Sequence, residues 1–430
     1  MSMRKSILKN AAEILILLVL SLVMVAIPLT HYICIIKGKY YSYIAKTIYS
    51  CSVLIAASVV FAIFVYRKNI TLSRYEVVFG VMIGFLLLSW RNALNPYKAL
   101  FGESGRNEGL FMLLCYYLTF YTARLITSEK IRTRVVNIFI IIMAIHALYG
   151  LGQFYELTWL PFIHDYYHYA ISGVAGNPNF MGSLMVMACG ACVGMAIYSQ
   201  KMMTKVIYVL LFPVFAATLI FTKTMSAYMG LAMILLTVFI IAVKFVGNRK
   251  GWKTAAAFVA IVAVTGVILL VIVDKLAYGI ISIEIINQLK NGINIETFAS
   301  GRLMVWINIF KMLPEYLPFG VGIDGLQQPY FDRYGLLFGT YLDKAHNELI
   351  HILITMGPVV LICCLLIYFF IAKDLSAKIK NNSNKPVNMA LMMIIIGYLT
   401  QAMFNISVID VAPYFWIMLG LAAKPLIEEK

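Results

Sequence analysis

The string Asp343-Lys344-Ala345-His346-Asn347-Glu348 closes a polar stretch and opens an apolar run. A helix entrance presents unpaired backbone N–H groups and a partial positive charge. Both disfavour imidazolium, so His346 is expected to stay neutral near pH 7 unless Asp343 or Glu348 offsets them. A neutral imidazole there could take the proton of a hydroxyl nucleophile. The alternative is an interfacial histidine that merely caps the helix, with Asn347 beside it. His346 and His351 do not make a zinc-protease motif. They are five residues apart, about 140° round a helix, and Glu does not follow the first His. No metal site is expected.

Two arginines stand where phosphate could be bound: Arg302 in Ser300-Gly301-Arg302, and Arg106 in Arg106-Asn107-Glu108-Gly109. A guanidinium holds phosphate through a bidentate fork, whereas a surface arginine also snorkels to lipid headgroups. Lys223, in Thr222-Lys223-Thr224-Met225-Ser226, is a point charge on a tight turn between two apolar runs. In Gly176-Asn177-Pro178-Asn179-Phe180, Asn179 is expected to cap a helix, with Pro178 turning the chain before it. The other reading makes Asn177 and Asn179 a polar platform for a sugar or diphosphate.

The elements that must position these residues are membrane helices. Of 430 residues, 62% are hydrophobic and 13% charged, and the mean hydropathy is +0.87. A soluble domain of that balance could not cover its surface with polar groups. Continuous apolar runs, rather than alternating ones, exclude an outer-membrane barrel. The predicted class is all-α: a single polytopic bundle over residues 1–430 with about twelve transmembrane helices. The spans fall near 11–29, 48–66, 75–90, 109–126, 135–153, 180–198, 205–222, 226–246, 255–273, 347–371, 388–407 and 411–423. Lys and Arg concentrate in the segments that are cytoplasmic if both termini are inside. The net charge of +16 is therefore read as a positive-inside signal with attraction to membrane lipids, and nucleic acid is not an expected partner. The first apolar run, behind Arg4, Lys5 and Lys9, is expected to be an uncleaved helix. Six of the seven cysteines lie in apolar runs, so neither a disulfide framework nor a metal cluster is expected.

One long extracytoplasmic loop, 274–346, separates spans nine and ten. Ser300 is placed to cap an amphipathic helix that presents Leu303, Trp306, Ile307 and Phe310 on one face and ends at Leu313-Pro314. That helix is expected to lie flat on the outer membrane surface or over the spans. Pro318 to Gly325 is a glycine-rich turn able to approach a ligand closely.

Together, Arg106-Asn-Glu-Gly109, Gly176-Asn-Pro-Asn-Phe180, Ser300-Gly-Arg302 with Trp306, Pro318-Phe-Gly-Val-Gly322 and Lys344-Ala-His-Asn-Glu348 resemble, in their order, the O-antigen ligase and polymerase family of bacterial membrane glycosyltransferases. The resemblance covers about residues 75 to 420. It implies transfer of a glycan from undecaprenyl diphosphate to an acceptor hydroxyl on a glycan, lipid or protein, at the outer face of the bacterial plasma membrane. It implies no cofactor and no metal, with inversion at the anomeric carbon. Carried over residue by residue, it puts Arg302 on the diphosphate and His346 near the nucleophile. Lys223, Arg106, Asn177, Asn179, Asn347 and Trp306 are then candidates for substrate binding. The sequence departs from the family at Met225, where many members have an arginine; Lys223 lies two residues away. The alternative is a twelve-span secondary transporter or a flippase for lipid-linked oligosaccharides, with His146 as its main intramembrane ionisable residue.

Overall fold

The computed structural model describes residues 2–36, 55, 73–103, 108–157, 170–245, 301–381 and 383–426. The expected span at 48–66 except residue 55, the span at 255–273, Arg106, and residues 274–300 of the long loop lie outside them. The regular secondary structure of the described residues is helical, apart from an isolated bridge between Leu337 and Thr340. Among them, five helical segments are long and apolar enough to cross a membrane: Ala11–Thr30, Glu129–Phe154, Pro178–Tyr198, Met202–Phe221 and Pro358–Lys380.

In chain order the α-helices are α1 (Ser2–Ile36), α2 (Arg74–Arg91), α3 (Pro96–Phe101), α4 (Leu110–Arg124), α5 (Glu129–Phe154), α6 (Pro178–Tyr198) and α7 (Met202–Phe221). Then come α8 (Met225–Phe245), α9 (Arg302–Met312), α10 (Gln327–Tyr334), α11 (Glu348–Met356), α12 (Pro358–Lys380), α13 (Lys385–Ala402) and α14 (Ala412–Ala422). Caps set several boundaries. Ser73 and Glu76 form a reciprocal capping box at α2, and Ser128 caps α5. The expected continuous span 347–371 is instead two helices, because Gly357 takes φ +87 between Met356 and Pro358. Proline then starts α12 at its first position, where its missing N–H costs nothing.

Helix α6 is the centre of the bundle. It is apolar all round, and 94% of its most apolar window is buried, as expected of a helix with protein on every side. It crosses α13 at Gly190 and Gly194, spaced four apart. A Cβ on Gly194 would lie 2.2 Å from the Ala390 backbone nitrogen, and one on Gly190 would lie 2.8 Å from the Met393 backbone. Small residues at this spacing let two helix backbones touch and gain packing that lipid cannot supply.

One end of the bundle is tied by buried cations. Four carbonyls at the C-terminal end of α14 accept hydrogen bonds from three helices: Arg132 to Leu421, Lys378 to Ala422 and Ala423, and Arg124 to Lys424. These charges satisfy orphan carbonyls and complement the helix dipole. Arg124 also pairs with Glu76 at 2.6 Å, and Arg132 donates to Asn388 near the start of α13. Gln401, at the far end of α13, is 13 residues further on, about 20 Å along the axis. The candidate site lies at that far end.

Candidate active site

Arg302 is the first residue of α9, which starts after Gly301 in the left-handed region at φ +78. The expected cap, Ser300, lies outside the described residues. Arg302 is half-buried and makes no hydrogen bond or ion pair among the described residues. Burial pushes its guanidinium pKa down. A cation that has lost water without gaining a counter-ion is prepared for an anion.

The buried face of α9 is not the one expected. Val305, Ile309 and Met312 pack into a small cluster with Val321, Leu326, Tyr330 and Leu342, while Phe310 is exposed. Helix α9 packs against the folded loop that follows it, and this turns its buried stripe away from the one centred on Leu303 and Phe310. Trp306 is half-buried and does the joining. Its indole Nε1 donates to the Ala345 carbonyl at 2.9 Å, and its ring lies 5.7 Å from that of Phe404.

His346 therefore follows a residue fixed by α9. Its backbone is left-handed, at φ +50. Asn347 caps α11, its Oδ1 accepting from the Ile350 N–H at 3.0 Å. The capping role falls on Asn347, which leaves His346 just outside the helix. At the other end of α11, Val321 and Gly322 donate to the Ile354 and Thr355 carbonyls, at 2.9 and 3.1 Å. The glycine-rich turn is thus spent on a helix C-terminus. Gly320 has φ +78, and a Cβ there would lie 2.4 Å from the Thr355 carbonyl carbon.

The chain between α13 and α14 brings the remaining candidates together. Asn405 donates to the Asn179 carbonyl and to Ser183, at 3.2 Å each. Gln401 reaches the same carbonyl at 3.4 Å and Ser226 at 3.3 Å. Phe404, beside Asn405, is the ring that Trp306 meets. Helix α6 starts at Pro178, two residues earlier than the sequence suggests. Its cap is Asn177, which accepts from the Asn179 N–H at 2.8 Å, and not Asn179. Proline prefers the first helical position, which pushes the cap back two residues, to Asn177. The Asn179 side chain is half-buried and makes no hydrogen bond among the described residues. Lys223 sits on the turn into α8 at φ +54, and burial pushes its ammonium pKa down. Met225, beside it, is exposed. That turn packs on α6: a Cβ on Gly182 would come within 3.4 Å of Thr222 and Thr224.

Sequence reasoning missed the groups below this cluster. Lys344 pairs with Asp324 at 2.5 Å, and both side chains are buried. Asp324 also accepts from the Glu103 N–H at 2.7 Å. Glu108 accepts from Tyr116 at 3.0 and 3.1 Å. Burial pushes the Glu108 carboxyl up to about 7; Lys344 draws it down and Asp324 adds to the rise. Glu348 accepts from Tyr398 at 3.1 Å. Lys344, Glu108, Glu348 and His351 line a cavity of about 60 Å³ between α4, α11, α12 and α14. Glu108, Lys344 and Glu348 all lie inside motifs singled out for their arginine or histidine. Their signal was the presence of acids beside a base at an apolar boundary.

Residues 206–365 match the family model described as O-Antigen ligase. This supports the resemblance drawn from the motifs, and with it a multi-pass membrane protein with a glycan-transferring ligase or polymerase role. The matched range holds Lys223, Arg302, Trp306, His346 and Asn347; Asn177 and Asn179 lie before it. A comparison with curated proteins gives no match.

Proposed function

We propose that this chain, with its O-antigen ligase match over residues 206–365, transfers a glycan from undecaprenyl diphosphate to an acceptor hydroxyl at the outer face of the plasma membrane. The observation that carries the reading is the coupling of Arg302 to His346. A half-buried arginine without a counter-ion among the described residues starts α9, and Trp306, one turn on, holds the carbonyl of Ala345. An anion site and a base site thus share one rigid unit. The donor is already activated, since its leaving group is a lipid diphosphate. What remains is to stabilise the departing charge and to assist the attack. Arg302 neutralises the diphosphate, with Lys223 as a second, less directional charge. His346 takes the proton of the attacking hydroxyl. The half-buried amide of Asn179 is available to sugar or phosphate oxygen. Attack opposite the leaving group inverts the anomeric centre, and no step calls for a metal.

The test is transfer of glycan from synthetic polyprenyl-diphosphate donor by the purified full chain in lipid. His346→Ala is expected to lower the rate by about 10²-fold or more. Arg302→Lys keeps the charge and loses the fork, and is expected to be clearly impaired. Wild-type rates in both variants, at normal protein levels, would refute the assignment.

A further inference from the structure

A cavity beside the segment that carries His346 is lined mainly by apolar surface, with a few ionisable side chains among it that are only partly satisfied. Its lining includes Lys344 and Glu348, which flank His346 two residues to either side. His351 is 8% exposed, and its Nδ1 has no hydrogen-bond partner. A volume of about 60 Å³ is several times the roughly 10–15 Å³ that one water needs. Glu108, His351, Glu348 and Ser407 supply the several polar partners that a buried water needs.

We propose that this cavity holds water and is the proton relay behind His346. The proposal rests on the glycan-transfer reading above. In each turnover the acceptor O–H bond breaks, the acceptor oxygen bonds the anomeric carbon, and the diphosphate leaves with the electron pair of the old C–O bond. The proton passes from the acceptor to His346. It then crosses the cavity water to the carboxylate of Glu348 or Glu108, and finally reaches bulk water. Two carboxyl groups in one low-dielectric cavity disfavour double ionisation, so one can hold a proton while the other accepts.

The groups facing Glu108 fit this role. Lys344, from the loop before α11, and Asp324, from the turn before α10, meet it as a nearly neutral pair. Lys98 and Glu103 form a second pair behind Asp324. Tyr116 and Tyr117 line the cavity from α4, Cys364 and Tyr368 from α12, and Glu348 and His351 from α11. Tyr398 reaches Glu348 from α13. The ion pairs set the field, and the carboxyl groups are left to carry the proton.

Infrared difference spectra of the full chain in lipid nanodiscs test the proton site without any substrate. A protonated carboxyl band should titrate near neutral pH, shift in D₂O, and disappear in Glu108→Gln. Its absence from wild type, or its persistence in both Glu108→Gln and Glu348→Gln, overturns the relay. Transfer from lipid-diphosphate donor gives the second readout. Glu108→Gln and Glu348→Gln should each slow turnover about tenfold or more and displace the pH–rate limb near neutrality, with Glu108→Asp partly restoring both. Should Glu108→Gln not accumulate, Glu348→Gln and the wild-type D₂O shift decide the matter. Transfer by wild type with an unchanged pH profile in both Gln variants refutes the relay alone. Absence of transfer by wild type refutes the reading on which it rests.

Discussion

Replacing Trp306 by Phe separates the arm that carries Arg302 from the segment that carries His346 without removing either residue. The phenyl ring keeps the apolar contact to Phe404. What is lost is the 2.9 Å hydrogen bond from the indole to the Ala345 carbonyl. Ala345 is fully buried, so its carbonyl has no water to turn to. A buried acceptor left unsatisfied costs about 1–3 kcal/mol. That is a factor of about 5 to 150 in the docking equilibrium of α9 against residues 344–347. Hydrogen exchange, followed by mass spectrometry in detergent, should therefore speed up across residues 345–350 by a factor in that range. Exchange in α6, tied to a different partner, should hold. Glycan transfer should fall in parallel, because the diphosphate cation and the base would no longer keep a fixed separation. Unchanged exchange over 345–350 with a transfer rate within about twofold of wild type would refute the reasoning, since the bond would then be holding nothing.

Two further outcomes follow from packing and burial. Gly194→Ala puts a Cβ against the Ala390 backbone and should destabilise the α6–α13 crossing by about 1–3 kcal/mol. Gly80→Ala, on a helix face with nothing within 4 Å, should be neutral or stabilise by about 0.5–1 kcal/mol; thermal unfolding of the two variants in detergent compares them. Glu108 sets a pH dependence of stability. Its folded pKa of about 7 lies above the ordinary 4.5, so its contribution is full below about 4.5, falls as pH rises, and is gone above about 7. The total is on the order of 3 kcal/mol. The difference between wild type and Glu108→Gln in unfolding midpoint should trace that fall, and a flat difference across the window would refute the burial argument.

Much of the helical layout was legible because lipid leaves the backbone few choices. The runs at 75–90, 109–126 and 411–423 appear as α2, α4 and α14 with ends within about two residues. The loop helix carrying Arg302 was legible from its periodicity and from Leu313-Pro314. Its buried face was not, because that face is set by Val321, Tyr330 and Leu342, which come later in the chain. The same limit applied at Pro318–Gly322. The glycines announced a close approach, but sequence could not say whether a ligand or the end of α11 would fill it. At Asn177-Pro178-Asn179 the cap was read two residues late, although proline's preference for the first helical turn was present in the string. Gly190 and Gly194 were overlooked beside Cys189 and Cys192, yet their spacing was the better guide to packing.

By itself the sequence determined what depends on neighbours along the chain and on solvent. This includes the apolar runs, the breaks between them, the polar motifs at their ends, and which residue types could bind phosphate or move a proton. Only the tertiary structure decided which of those ends meet. The end of α13 and the chain after it hold Asn179 and Ser226 within reach of Asn405 and Gln401, while Phe404 faces Trp306. Asp324 and Lys344 become one buried pair, with Glu108 beside it across more than 200 residues of chain. Such pairings depend on burial. A charge alone in a string is solvated and silent, and it acquires a role only when folding removes its water and supplies a partner.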